Sequence, residues 1–319
     1  MTARAFAPPW WLANPHLQTI YGALAVRAPR IPLRRERWDT PDGDFVDVDF
    51  MDGPAGTPWV HLYHGLEGSS NSPYARALMG HVKARGWRGS VFHFRGCSGE
   101  PNRLPRAYHS GDAQEIDWSL REVRRRAGTA PVYAAGVSLG GNALAKWLGE
   151  GGEHAREVID AAAVISAPLD LMAAGDALGR GFALNYARHF LKSLKAGTLA
   201  KLERYPQLVD ETAVRRSRTL REFDNVVTAP LHGFRDTDDY WTRASDKPHL
   251  KGIRVPTLIV NARDDPFVPA AALPAPDEVS RNVTLEFPDR GGHVGFVSAP
   301  FPGHIEWLPR RVLRFFEKG

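Results

Sequence analysis

Gly136-Val137-Ser138-Leu139-Gly140 closes the apolar run Pro131-Val132-Tyr133-Ala134-Ala135 and leads into Gly141-Asn142-Ala143-Leu144-Ala145-Lys146-Trp147-Leu148. The first run reads as a buried strand and the last as a helix. Strand, tight turn and helix are the setting in which G-x-S-x-G forms a nucleophile elbow, a sharp bend that lifts the serine Oγ clear of the sheet. Small residues on both sides of such a serine avoid clashes at the bend. The helix start beneath it favours developing negative charge. The same five residues also occur as an ordinary turn before a helix. The assignment therefore depends on a base, an acid and an oxyanion donor elsewhere in the chain.

Outward from the elbow, short apolar runs alternate with helical patterns. Upstream, Trp59–Tyr63 is a buried strand ending at His64-Gly65, residues 73–85 a helix, and Ser90–Phe94 the next strand. Residues 111–126 form a helix with Ile116, Leu120 and Val123 on one face. Downstream, 161–166, 255–261 and 283–287 read as further strands. A helix over about 303–317 turns Ile305, Leu308, Val312 and Phe315 inward. Strands alternating with helices define the α/β class, a mostly parallel sheet covered on both faces. Residues 34–51 read as a hairpin around Pro41-Asp42-Gly43-Asp44. Its second strand alternates apolar and acidic residues, which places the acidic face in solvent. Residues 1–30 form an irregular Pro- and aromatic-rich arm with one short helix.

The alternation stops at Pro168, and residues 170–250 contain no strand pattern. Phe182, Tyr186, Phe190 and Leu194 recur every four residues, a helical stripe whose simplest role is core packing. A helical insertion at this point reads as a cap that shapes access and excludes water. The expected organisation is a first core part at 1–169, a cap at 170–250 and a second core part at 251–319.

Composition narrows the function. Hydrophobic residues make up 43% of the chain, enough for a sizeable core. Cys97 is the single cysteine, so no intrachain disulfide forms, as suits a reducing compartment. The formal charge is +5, spread over short clusters such as Arg124-Arg125-Arg126, with no zinc spacing or nucleic-acid motif. Nucleic acid is therefore not an expected partner. Peripheral contact with an anionic membrane surface is compatible with this charge. No run reaches the length of a membrane span, and Phe6–Leu12 lacks the continuous apolar core of a secretory signal. The expected location is the cytoplasm. No metal-ligand cluster, P-loop or dinucleotide fingerprint appears, so no metal and no organic cofactor is expected.

A serine hydroxyl becomes a nucleophile when a histidine takes its proton and an acid orients that histidine. In hydrolases built on this elbow the chain order is Ser, then Asp or Glu, then His. Asp264-Asp265 follow the strand ending at Asn261, and either aspartate fits the acid. Gly291-Gly292-His293 follow the last strand, so His293 is the base, with His304 as its competitor at the start of the last helix. The glycines let that loop approach the active centre. The oxyanion hole requires the N–H after the serine, that of Leu139, and one from the loop after the strand ending at Tyr63. That loop is His64-Gly65-Leu66-Glu67-Gly68, which makes Leu66 the second donor and leaves His64 a role in shaping the loop. Cys97 has no evident base and reads as a small semi-buried thiol.

With these residues placed, the chain resembles the YheT-like branch of the α/β-hydrolase superfamily. The likeness spans nearly the whole chain. It rests on Asn14-Pro15-His16-Leu17-Gln18-Thr19, His64-Gly65-Leu66-Glu67-Gly68, Arg95-Gly96-Cys97-Ser98-Gly99, the elbow and Asp264-Asp265. In the cap it rests on Glu222-Phe223-Asp224, Gly233-Phe234, Tyr240-Trp241 and Ser245. Tryptophan at 241 stands where the family pattern expects tyrosine, a change expected to touch cap packing at most. The resemblance implies the α/β-hydrolase fold with an inserted helical cap, and a triad of Ser138, Asp265 and His293. Asp265 is preferred to Asp264 because Asp265-Pro266-Phe267-Val268-Pro269 resembles the acid loop of many members. The implied activity is carboxylic-ester hydrolysis through an acyl-enzyme, on a small-molecule or lipid ester. A lipase or phospholipase at membrane surfaces, and a non-catalytic lipid-binding module on the same scaffold, are the alternatives.

Overall fold

The computed structural model describes residues 6–318; the first five residues of the arm and Gly319 lie outside the described residues. Eight strands form one sheet: β1 (Arg34–Asp39), β2 (Phe45–Met51), β3 (Trp59–Tyr63), β4 (Arg88–Phe92), β5 (Val132–Val137), β6 (Ala161–Ile165), β7 (Thr257–Val260) and β8 (Val283–Glu286). Their order is β1-β2-β4-β3-β5-β6-β7-β8. β2 is antiparallel to β1 and β4, and every other pair is parallel. The exchange of β3 and β4 sets β3, which leads into the His64 loop, directly beside β5, which carries the elbow.

Eleven α-helices accompany it: α1 (Pro15–Leu24), α2 (Pro73–Ala84), α3 (Ala113–Ala127), α4 (Leu139–Gly151), α5 (Leu171–Leu178), α6 (Leu184–Arg204), α7 (Glu211–Arg216), α8 (Leu220–Phe223), α9 (Ala229–Leu231), α10 (Thr237–Ala244) and α11 (Trp307–Phe316). α3 and α4 cover one face, with Ile116, Leu120, Leu144 and Leu148 against Val48, Ala134 and Val164. α2 and α11 cover the other, with Leu78, Val82, Leu308 and Val312 against Leu62, Val91 and Ala135. Each fully buried aliphatic side chain contributes about 1.5–3 kcal/mol, so both faces are held mainly by apolar burial.

Three details differ from the sequence expectation. The acidic face of β2 is not in solvent: Asp47 and Asp49 are buried. Arg35 makes a bidentate pair with Asp49 at 2.7 and 2.9 Å, and Arg37 one with Asp47 at 2.9 and 3.0 Å. His93 and Ser70 also bind Asp49, at 2.9 and 2.5 Å. Burial works to raise the Asp49 carboxyl, and the bonds from Arg35, His93 and Ser70 outweigh it, holding it below the usual carboxylate range. Alternation reports two faces but not whether the polar one is wet. Second, the final helix begins at Trp307, so Ile305 and His304 precede it. Its buried aromatic is Phe316, while Phe315 is half-buried. Third, β4 starts two residues earlier than Ser90 and ends at Phe92.

Every element between β6 and β7 is helical. The segment leaves and rejoins the core at one place: the Lys247 N–H donates to the Leu169 carbonyl at 2.9 Å, and the Leu171 N–H to Ser245 Oγ at 2.9 Å. Asn142, fully buried on α4, ties the return point down. Its Nδ2 donates to the carbonyls of Ser110 and Ala244 at 2.8 Å each, and its Oδ1 accepts from the Asp246 N–H at 3.2 Å.

Candidate active site

The elbow is built by close approach. Ser138 itself takes a left-handed backbone, φ 53°, a conformation that costs a non-glycine residue energy and recurs at functional sites. Gly136 and Gly140 are needed for space instead. A Cβ on Gly136 would lie 2.4 Å from the Gly140 carbonyl oxygen, and one on Gly140 would lie 2.5 Å from that of His64. The loop after β3 therefore packs directly on the elbow, and a Cβ at Gly65 would sit 3.1 Å from the Ser138 Cβ.

Three side chains from three loops meet above it. His293 Nε2 lies 3.0 Å from Ser138 Oγ, and its Nδ1 lies 2.9 and 3.2 Å from the two oxygens of Asp265. The Asp265 side chain is fully buried, and its Oδ1 also accepts from the N–H groups of Phe267 and Val268 at 2.7 and 3.2 Å. A carboxylate so held keeps Nδ1 protonated and leaves Nε2 free to take a hydroxyl proton. Phe267 stacks on the imidazole, centroids 4.0 Å apart. Asp264 turns away from the imidazole. It accepts from the Gly292 N–H at 2.9 Å, so it bridges to the histidine loop rather than closing its own turn.

The loop carrying Leu66 has most of its donors occupied. The Gly65 N–H donates to Tyr74 Oη at 2.9 Å, the Glu67 N–H to Tyr108 Oη at 3.0 Å, and the Gly68 N–H to the Gly65 carbonyl at 2.9 Å. Among the described residues no group accepts from the N–H of Leu66 or Leu139. His64 binds within the loop: its Nδ1 donates to the Gly65 carbonyl at 2.7 Å and its Nε2 accepts from the Phe94 N–H at 3.2 Å. Burial pushes the His64 imidazole down to about 3, which suits a neutral, structural side chain. Burial likewise pushes the Cys97 thiol well above its ordinary range, away from thiolate chemistry. His304 pairs through its backbone with Ser298 and does not reach the serine.

Several supporting residues were not legible as such. The His293 N–H donates to Thr19 Oγ1 at 2.9 Å, and Thr19 in turn donates to the Pro15 carbonyl at 2.8 Å. Fully buried Gln18 donates to the carbonyls of Leu12 and Val297 and accepts from the Val297 N–H at 2.8 Å. Asn14 caps α1 by accepting from the N–H groups of His16 and Leu17. The Asn14–Thr19 motif is thus a clamp on the histidine loop. The loop glycines serve the same contact: a Cβ on Gly292 would lie 2.6 Å from the Pro15 oxygen, and one on Gly295 2.5 Å from that of Gln18. They admit α1, where the sequence suggested an approach to the active centre.

Two cavities meet at Ser138. One, about 840 Å³ counted to open solvent, runs beneath the helical segment between Leu171, Ala174, Leu178, Leu194, Phe223 and Trp241. The other, about 1190 Å³, runs outward past Tyr186 between Ile20, Ala23, Leu24, Tyr74 and Ile305. Phe190 and Phe267 border both. The Tyr186, Phe190 and Leu194 stripe therefore faces the cavities, while Phe182 is exposed. Trp241 does more than pack: its indole forms cavity wall over Gly175, where a Cβ would lie 2.2 Å from the ring, and donates to Asp224 at 2.8 Å. Burial pushes the Asp224 carboxyl up to about 6, against the bonds it accepts from Thr228 and Trp241. A π-helical turn, Asp224–Thr228, sets both of its end residues on this wall.

Residues 58–300 match the family described as alpha/beta hydrolase fold. The chain is 41% identical over 312 residues to the Escherichia coli K12 protein named "Putative esterase YheT", across 96% of this chain and 91% of that one. It is 28% identical over 327 residues to human "Phospholipase ABHD3", across 99% of this chain and 80% of that one. Among solved structures, the Pyrococcus furiosus esterase Pf2001 matches with a TM-score of 0.57 at 15% identity, across 99% of this chain and 97% of that one. At that identity the likeness is one of fold.

Proposed function

This chain belongs to the α/β-hydrolase fold family, and from that premise we propose that it is a serine hydrolase of carboxylic esters. His293 takes the Ser138 proton as Oγ attacks the ester carbonyl. The N–H groups of Leu66 and Leu139 receive the oxyanion, and Asp265 holds the imidazole tautomer and balances the imidazolium. His293 then returns the proton to the departing alkoxide. In the second half it activates water against the acyl-enzyme and restores Ser138. The observation that carries this reading is the continuous hydrogen-bonded series Ser138–His293–Asp265, at 3.0 and 2.9 Å, beside two unoccupied N–H donors.

Residues 170–250 act in this scheme as a cap, and the cavity beneath it receives the acyl chain. Its walls are mostly aliphatic and aromatic, with Ser110, Asp224 and Thr228 among the polar exceptions, which favours a fatty acyl group over a charged one. The outward cavity takes the alcohol. Relatives named as an esterase and a phospholipase agree with an ester substrate whose acyl part is apolar.

The test is labelling with a fluorophosphonate probe together with a series of p-nitrophenyl esters. Wild-type protein is expected to be labelled at Ser138 and to prefer medium or long acyl chains. Ser138→Ala is expected to lose labelling and to lose roughly 10⁴-fold or more in kcat. Ester turnover that survives in Ser138→Ala would overturn the assignment.

A further inference from the structure

The five large hydrophobic side chains most exposed among the described residues are Trp10, Leu17, Leu24, Phe182 and Phe301, at 92%, 52%, 82%, 51% and 75% exposure. They are not scattered. Leu17 and Leu24 lie seven residues apart on α1, hence on one stripe of that helix. Phe301 packs on Trp11, which packs on Tyr21 of α1, with centroids 5.5 and 5.3 Å apart. Phe182 packs on His16 of α1, centroids 4.6 Å apart. Trp10 belongs to the short turn Trp10–Leu12 beside the same helix. The five thus form one belt along α1. Leu24 is both part of that belt and part of the wall of the outward cavity that ends at Ser138. Isolated exposed hydrophobics need no explanation, but a belt of them around an opening marks an interaction site.

Charge points to the partner. Residues 6–33 and 290–305, which carry four of the five side chains, contain no aspartate or glutamate, while the Phe182 segment has Asp176 beside it, paired with Arg180. Residues 6–33 do contain exposed Arg27 and Arg30, just past the end of α1. Among the described residues neither of these two cations is paired with a carboxylate. Elsewhere the protein pairs its surface arginines readily, as at Arg34, Arg121 and Arg215. A protein partner would present its own pattern of charge and hydrogen-bonding groups. A face made of apolar side chains and a tryptophan, with unpaired Arg27 and Arg30 at its edge, is instead complementary to the interface of an anionic bilayer.

We propose that this face, α1 with Trp10, Phe182 and Phe301, seats the protein on anionic lipid surfaces, with the outward cavity opening toward the bilayer. Among the described residues no helix is long and apolar enough to cross a membrane, so the association is peripheral. Only the purpose of the docking rests on the ester-hydrolase reading; the docking itself does not.

The experiment is co-sedimentation of the full chain with vesicles of phosphatidylcholine alone and of phosphatidylcholine with one third phosphatidylglycerol, in low and high salt. Hydrolysis of a water-soluble short-chain ester is followed in parallel. Wild type is expected to bind the anionic vesicles at least tenfold more tightly than the neutral ones, and to lose most of that margin in high salt. Trp10→Asp with Phe301→Asp, neither of which lines a cavity, is expected to lower binding at least tenfold with short-ester turnover unchanged. Arg27→Gln with Arg30→Gln is expected to reduce the preference for anionic vesicles. The proposal is overturned if wild type binds neither vesicle, if it binds both equally, or if Trp10→Asp with Phe301→Asp binds as wild type does. Absence of ester turnover in wild type, with vesicle binding intact, would instead overturn the proposed reaction and leave the docking face standing.

Discussion

At the scale of single residues, the three side chains that meet at the elbow and the groups that hold them differ in how they are written in the chain. Ser138, Asp265 and His293 each sit in a short motif with its own turn chemistry, so each was readable where it stood. Thr19 was not, because its meaning lies in a bond to the His293 N–H, 274 residues away. Gln18, Asn142 and Phe267 are of the same kind: an amide, an amide and a ring whose partners are distant in sequence. Thr19 offers a test of that support. Thr19→Val keeps the shape but leaves the buried His293 N–H without an acceptor, a loss of about 1–3 kcal/mol. The expected outcome is a lower melting temperature and a roughly tenfold fall in kcat with KM within about twofold, since the imidazole is less well held before any change in substrate contact. Thr19→Ser should restore most of the rate. A rate unchanged in Thr19→Val, measured with a short-chain ester, would show that the clamp does not position the histidine.

At the scale of elements, period was legible and facing was not. The four-residue spacing of Phe182, Tyr186, Phe190 and Leu194 correctly indicated a helix whose last three stripe members pack on apolar neighbours, but not that the same three would also line cavities. In β2 the two-residue period was right and the environment of its acidic side was wrong. The loop carrying Ser98, with Arg35 and Arg37 of β1, covers that side and pairs its carboxylates. Hydrophobic periodicity cannot distinguish a wet polar face from one sealed by arginine pairs, since both use the same residue types. The α6 stripe carries a prediction of its own. Leu194 lines only the cavity beneath the helical segment, one turn beyond Phe190, which lines both. Leu194→Trp is expected to fill that cavity away from the serine, lowering kcat/KM for long-chain p-nitrophenyl esters roughly tenfold and leaving short-chain esters within about twofold. Equal losses on all chain lengths would remove the acyl-chain role of this cavity.

At the scale of the whole molecule, one buried carboxyl links the return of the helical segment to the sheet to pH. Asp246 is fully buried where the helical segment rejoins the core, and neither of its side-chain oxygens has a hydrogen-bond partner. Burial pushes its carboxyl up to about 8, against the attraction of Lys146 and with the help of Glu150. In the unfolded chain an aspartate titrates near 4. Below that value both states hold the proton. Between about 4 and about 8 the folded state keeps the proton and the unfolded state releases it, so the unfolded state binds fewer protons and stability falls as pH rises. Above about 8 the loss levels off. Asp246→Asn removes this titration while keeping the neutral shape. It is expected to be more stable than wild type by at least ~1 kcal/mol at pH 8, with the gap narrowing toward pH 5. Denaturant unfolding at several pH values measures this, and a difference that does not change with pH would exclude the titration of Asp246 as its source.

Sequence alone determined the α/β class, the elbow, the order of the loops that carry Ser138, Asp265 and His293 and the place where the strand pattern gives way to helices. These are local properties: hydrophobic period, the demand for glycine at a crowded turn, and the position of a loop after a strand. Tertiary structure alone decided that the Asn14–Thr19 segment clamps the histidine loop, that two cavities rather than one meet at Ser138, and that the most exposed apolar side chains gather along α1. Each of those depends on which distant segments touch, and contact between distant segments follows from packing the whole chain rather than from any stretch of it.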